Sequence, residues 1–197
     1  MLTSNLFRVA RRAAFTLAEI LIAIAVMAIV SAMIVPVVFS KLRVSQASAM
    51  SQTFVGLSQG IAEFKRATTR YPLLLASLTA QPIATDADIC GNAMTAVNVA
   101  LWRGPYASRT ISASGLQIGG VTIQNTLRRV AGPPVFLMID VGGVDTKVAD
   151  ELEAELDAGA ADGTTGTIRY TAAAVGGLPA APTGTYNVSY AIPINSC

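Results

Sequence analysis

Histidine is absent from this chain. That removes His-based triads, imidazole metal ligands and the side chain best suited to proton transfer at neutral pH. Lys41, Lys65 and Lys147 are the lysines available to a Ser–Lys pair, and no motif around them marks one. The residue types therefore point away from an enzyme. A few others stand where chemistry of a different kind is expected. Glu19 is the one charge in an otherwise apolar run over residues 15–39, FTLAEILIAIAVMAIVSAMIVPVVF. A carboxylate at membrane depth costs roughly 3 kcal/mol, so intramembrane acids are usually paired and functional. The plainer alternative is a glutamate near enough to the interface to reach water. Pro36 lies in the same run, where it removes one helical hydrogen bond, either as a functional bend or as a passive kink.

Cys90 and Cys197 both follow the apolar run. An even pair in an exported domain reads as one disulfide, closing a loop of about 107 residues and stabilising by at most ~5 kcal/mol. Two free buried thiols are the alternative. Residues 140–162 hold eight acids (Asp140, Asp145, Asp150, Glu151, Glu153, Glu155, Asp157 and Asp162) against one base, Lys147. A solvated helix face is the plain reading of this segment. A calcium loop is the sharper reading, with Asp157, Asp162 and Thr164 supplying some of the six to eight oxygens that Ca²⁺ takes. No other cofactor is expected. Arg103, Arg109, Arg128 and Arg129 are candidates for a basic patch that would bind a surface or DNA, and scattered solvated charge is the alternative.

The elements that position these residues follow from periodicity. As a helix, residues 15–39 would span about 37 Å, enough to cross a bilayer. Arg8, Arg11 and Arg12 precede the run, and Lys41 and Arg43 follow it. The denser cluster is N-terminal, which favours a cytoplasmic N-terminus and a single pass. The run is too long for the core of an ordinary secretory signal. What remains, roughly 155 residues, is one domain. Without the three leading arginines the formal charge of +2 falls to −1, so nothing in the charge balance argues for nucleic acid as a partner.

Beyond Pro36 the pattern becomes amphipathic. Ala47, Met50, Phe54, Leu57, Ile61 and Phe64 recur at alternating spacings of three and four, one stripe of a helix that ends near Thr68 before Arg70-Tyr71-Pro72. Gly56 and Gly60 either weaken this helix or permit close packing. Residues 73–81 read as a short helix or turn, and 89–101 as an ambiguous stretch holding a short helix. Trp102-Arg103-Gly104-Pro105-Tyr106 is a turn whose two aromatics wedge it against the core. Alternation on either side of Gly119-Gly120 predicts a β-hairpin. Residues 134–140 predict a central strand. A helix follows, with Asp145 as N-cap and Val144, Val148, Leu152 and Leu156 as its buried face. Strands are predicted over 167–172 and 186–194.

The N-terminal third resembles the type IV pilins and the pseudopilins of type II secretion. The resemblance rests on a short basic leader, a small residue, then Phe15-Thr16-Leu17-Ala18-Glu19 opening a long apolar helix. Glu19 is fifth after the Ala14–Phe15 junction and Pro36 twenty-second; the departure is Ala14, where the family usually has Gly. The resemblance implies a leader at 1–14, a transmembrane half-helix at 15–39 and a periplasmic globular domain at 40–197. It implies an α+β, pilin-like fold: a long N-terminal helix on an antiparallel sheet, with a small inserted helix. It also implies cleavage between Ala14 and Phe15 by the prepilin peptidase, N-methylation of Phe15, and pairing of that amine with Glu19 of a neighbouring subunit. The implied location is the bacterial inner membrane and then a filament. The implied partners are other pilin or pseudopilin subunits, the peptidase/methyltransferase, the inner-membrane assembly platform and the lipid bilayer. The calcium-loop pattern of the main pseudopilin is missing, which tilts the reading towards a pilus, as a minor component. A pseudopilin of type II secretion is the alternative, and a filament-tip binding module is the rival from another class.

Overall fold

The computed structural model describes residues 16–157 and 163–195. Helix α1 (Leu17–Thr68) is continuous over 52 residues and runs through Pro36. The chain divides into two compact units between Lys41 and Leu42. In the first, every large hydrophobic of α1, from Leu17 to Phe39, is exposed. No charge follows Glu19 until Lys41, so this stretch has neither a protein core to enter nor a polar face to offer water.

In the second unit the character of α1 changes. Ala47, Met50, Phe54, Leu57, Ile61 and Phe64 are all buried, the stripe that the 3–4 spacing predicts. Phe54 stacks on Tyr190 at 5.1 Å between ring centroids, and Phe64 meets Tyr106 edge-on at 5.9 Å. The two helix glycines separate into different roles. A Cβ on Gly60 would stand 2.7 Å from the Tyr106 carbonyl oxygen, whereas one on Gly56 would meet nothing within 4 Å. Gly60→Ala is therefore expected to cost about 1–3 kcal/mol by forcing backbone apart. Gly56→Ala is expected to stabilise by up to ~1 kcal/mol through helix propensity alone. Urea unfolding followed by the fluorescence of Trp102 measures both, and opposite signs are the expected result.

Among the described residues six strands form one antiparallel sheet: β1 (Leu116–Ile118), β2 (Val121–Ile123), β3 (Arg128–Val130), β4 (Val135–Asp145), β5 (Ile168–Thr171) and β6 (Thr185–Ile194). Their order is β1-β2-β4-β6-β5, with β3 also paired to β4. Gly119 and Gly120 make the two-residue turn of the β1–β2 hairpin, both at positive φ as such a turn requires. Leu137, Ile139 and Val141 of β4, with Val188 and Tyr190 of β6, join the α1 stripe in one core. The short helix α3 (Thr146–Leu156) adds Val148, Ala149 and Leu152 to it, and Asp145 is its N-cap, accepting the Lys147 N–H at 2.9 Å. A second short helix, α2 (Ala96–Ala100), opens with a capping box between Thr95 and Asn98. The expected α+β arrangement is the one found.

Three expectations change. The central strand runs on to Asp145, so Val144 is buried as a strand residue rather than on the helix. An extra residue on β4, between Val141 and Val144, re-aims it there. Strand β3 is not among the expected strands, because three residues carry too little alternation to read. The acidic segment is not one solvated face: Asp140 and Glu153 are buried, and Asp150, Glu151 and Glu155 are the exposed acids of α3.

Asp140 is buried by what lies on the second face of the sheet. Arg128 donates to both Asp140 oxygens, Nε to Oδ2 and Nη2 to Oδ1, each at 2.8 Å, and the Ser189 hydroxyl donates to the same carboxylate. Hydrogen bonding to Asp140 holds the Arg128 pKa above its ordinary value. Residues 173–182 fold over this pair. Asn187 holds them by donating to the Ala173 and Pro179 carbonyls at 3.0 and 2.8 Å. Gly176, at φ +57°, lies so close that a Cβ there would stand 2.0 Å from Asp140 Oδ2. Glu153 accepts the Gly163 N–H at 3.2 Å. It also accepts from the Tyr170 hydroxyl, whose pKa is pushed up to about 12 by burial first and then by Glu153.

Candidate functional site

The N-terminal end of α1 is built by its own sequence. Thr16 is the residue before the first helical position, and Thr16-Leu17-Ala18-Glu19 is a capping box. The Glu19 N–H donates to Thr16 Oγ1 at 3.2 Å, and Glu19 Oε2 accepts the Thr16 N–H at 2.8 Å and the Thr16 hydroxyl at 2.9 Å. Two orphan N–H groups of the helix end are thus satisfied by one side-chain pair. The role of Thr16 is legible in the S/T-x-x-E spacing, behind the stronger signal of a charge among apolar residues. Glu19 therefore has a local partner in the single chain, and its carboxylate stands at the positive end of the helix dipole.

From this cap the helix offers a surface of apolar side chains with one carboxylate. None of its most apolar stretch is buried. By length and composition it can cross a membrane. Pro36 sits inside the helix without ending it. Its missing N–H leaves the carbonyl of Ala32, four residues back, without the usual helical partner.

The remaining candidates are scattered. Ala14, Phe15, Asp162 and Cys197 lie outside the described residues. Cys90 is half-buried in a loop organised by Asp88, whose carboxylate accepts the Cys90 and Asn92 N–H groups at 2.9 and 2.8 Å and pairs with Arg70 at 3.0 Å. Asp157 does not point its carboxylate to solvent: it accepts the N–H groups of Thr167 and Ile168 at 2.8 and 2.7 Å, closing the loop before β5. Thr164 is exposed. Among the described residues no group of three or more metal-type ligands is brought together.

The four arginines do not form one patch. Arg128 is committed to Asp140 under the 173–182 segment, and Arg129, next to it on β3, points to the opposite side of the strand. Arg109 lines a groove beside α1. Arg103 donates to the Ala100 carbonyl at 3.0 Å.

Comparisons with curated proteins and with solved structures give no match. Residues 9–35 match a family model, described as the prokaryotic N-terminal methylation motif. That interval takes in the capping box, the single carboxylate and most of the exposed apolar helix, so the chain carries at its N-terminus the hallmark of the type IV pilin and pseudopilin family.

Proposed function

We propose that the chain is a non-enzymatic structural subunit of a type IV pilus-like filament, held in the inner membrane by α1 until it is assembled. One observation carries the reading: the methylation motif at 9–35 coincides with the first part of α1, where the large apolar side chains from Leu17 to Phe39 are all exposed around one carboxylate. Such a surface is stable in a bilayer or against copies of itself, and in water it would aggregate. On this reading Ala14–Phe15 is the cleavage site, Phe15 carries the methylated amine, and Glu19 leaves its Thr16 cap to accept that amine from a neighbour. Pro36 gives the helix a point where it loosens on packing. The globular unit then lies on the periplasmic side.

Mass spectrometry of the mature chain tests the reading. N-methyl-Phe15 is the expected N-terminus in cells with an active prepilin peptidase. An intact leader, or a start downstream of Phe15, refutes it.

A Cys90–Cys197 disulfide belongs to the same proposal. Strand β6 ends at Ile194, so Cys197 follows it by three residues, and the Cys90 backbone is already fixed by Asp88. Non-reducing peptide mapping is expected to find the two cysteines in one linked peptide. Cys90→Ser is expected to lower stability by about 2–4 kcal/mol. Two free thiols in exported protein would rule the bond out.

A further inference from the structure

We propose that the groove beside α1 receives the acidic face of α3 from a second copy of this chain; this rests on the filament reading. The groove is about 700 Å³ and is lined by Ala49, Gln52, Gly56 and Gln59 of α1 and by Ser108 and Arg109 across from them. Gly56 leaves its floor open, with no atom within 4 Å of where a Cβ would stand. Glu63 also lines the groove but is paired with Arg66. Arg109 is exposed and makes no ion pair among the described residues. The groove thus mixes small residues with amide side chains, and among the described residues its Arg109 has no carboxylate partner.

The complementary surface is elsewhere on the same molecule. Helix α3 exposes Asp150, Glu151 and Glu155 around the small Ala154, and none of these acids is in an ion pair among the described residues. It packs against β4, β5 and β6, whereas the groove is walled by Leu116 of β1. Strands β1 and β5 are the two ends of the order β1-β2-β4-β6-β5, and α3 lies on the β4-β6-β5 part of it. Between copies they match in sign. Ala154 facing Gly56 would let the two helices approach closely, with Glu151 or Glu155 beside Arg109. Because the two patches differ, the contact is heterologous and leaves both outer patches free, so it propagates instead of closing a dimer.

The test uses the full chain in cells that assemble filaments. Arg109→Cys and Glu151→Cys, present together, are expected to give a ladder of covalent dimers, trimers and longer species in sheared filaments after oxidation. Neither single substitution should do so. Arg109→Glu is expected to lower incorporation about tenfold with membrane level and processing unchanged, and Glu151→Arg with Glu155→Arg in the same chain is expected to restore it. Filaments that contain the chain but give no ladder, or a ladder that stops at the dimer, overturn the contact. So does Arg109→Glu incorporated like wild type. If wild-type chain is absent from filaments altogether, the filament reading fails and takes the contact with it.

Discussion

Glu19→Gln is expected to insert, fold and be processed as wild type does, and to be lost from filaments. Two roles meet on this carboxylate, and the substitution separates them. Within one chain Glu19 closes the capping box with Thr16. Glutamine keeps that box, since its amide oxygen can accept the same N–H. In a filament Glu19 is proposed to accept the charged amine of a neighbouring Phe15, and a neutral amide leaves that amine uncompensated. Breaking a buried pair from one side costs roughly 3–5 kcal/mol, whereas losing a cap costs about 1 kcal/mol. The charge should therefore decide assembly and the cap should not. Glu19→Ala removes both and is expected to fall to the same low level in filaments, with a slightly frayed helix end as its only further effect. The measurement is the amount in sheared filaments relative to the membrane pool. Normal incorporation of Glu19→Gln would leave Glu19 as a cap and nothing more.

The second large effect lies in the globular unit. Arg128→Met is expected to destabilise it by about 3–5 kcal/mol, because the Asp140 carboxylate stays behind, fully buried under Gly176 with its cation gone. Asp140→Ala should cost less, about 2–3 kcal/mol, since the Arg128 side chain is 28% exposed and can turn towards water. Arg128→Met with Asp140→Leu should recover part of the loss by replacing the pair with apolar groups. Urea midpoints followed by Trp102 fluorescence give the order. Equal, small losses for both single variants would mean that the 173–182 segment opens readily and the pair is in effect solvated.

Much of this protein is legible from its sequence because the signals are local. The α1 stripe from Ala47 to Phe64 follows from the 3.6-residue period, the β1–β2 turn from two adjacent glycines, and the α3 cap from Asp145 before a helical pattern. The membrane stretch and its methylation motif are likewise consecutive residues, and no folding is needed to recognise them. The capping box of Thr16 and Glu19 was equally local, and was obscured only by the louder signal of a charge among apolar residues.

What tertiary structure alone decided depends on which residues meet across long sequence separations. Asp140 looks like one more acid in an acidic segment until β3 brings Arg128 beside it, β6 adds Ser189 and a segment around Gly176 covers all three. Gly56 and Gly60 are indistinguishable as letters four residues apart in a helix. They differ because the chain around Tyr106 passes against one and not the other. That Arg109 lines a groove beside α1 while the acids of α3 stand exposed on another element is likewise decided by packing. Periodicity reports which side of an element is buried. It does not report what lies opposite, because that is fixed by strand pairing and packing between segments that the sequence places far apart.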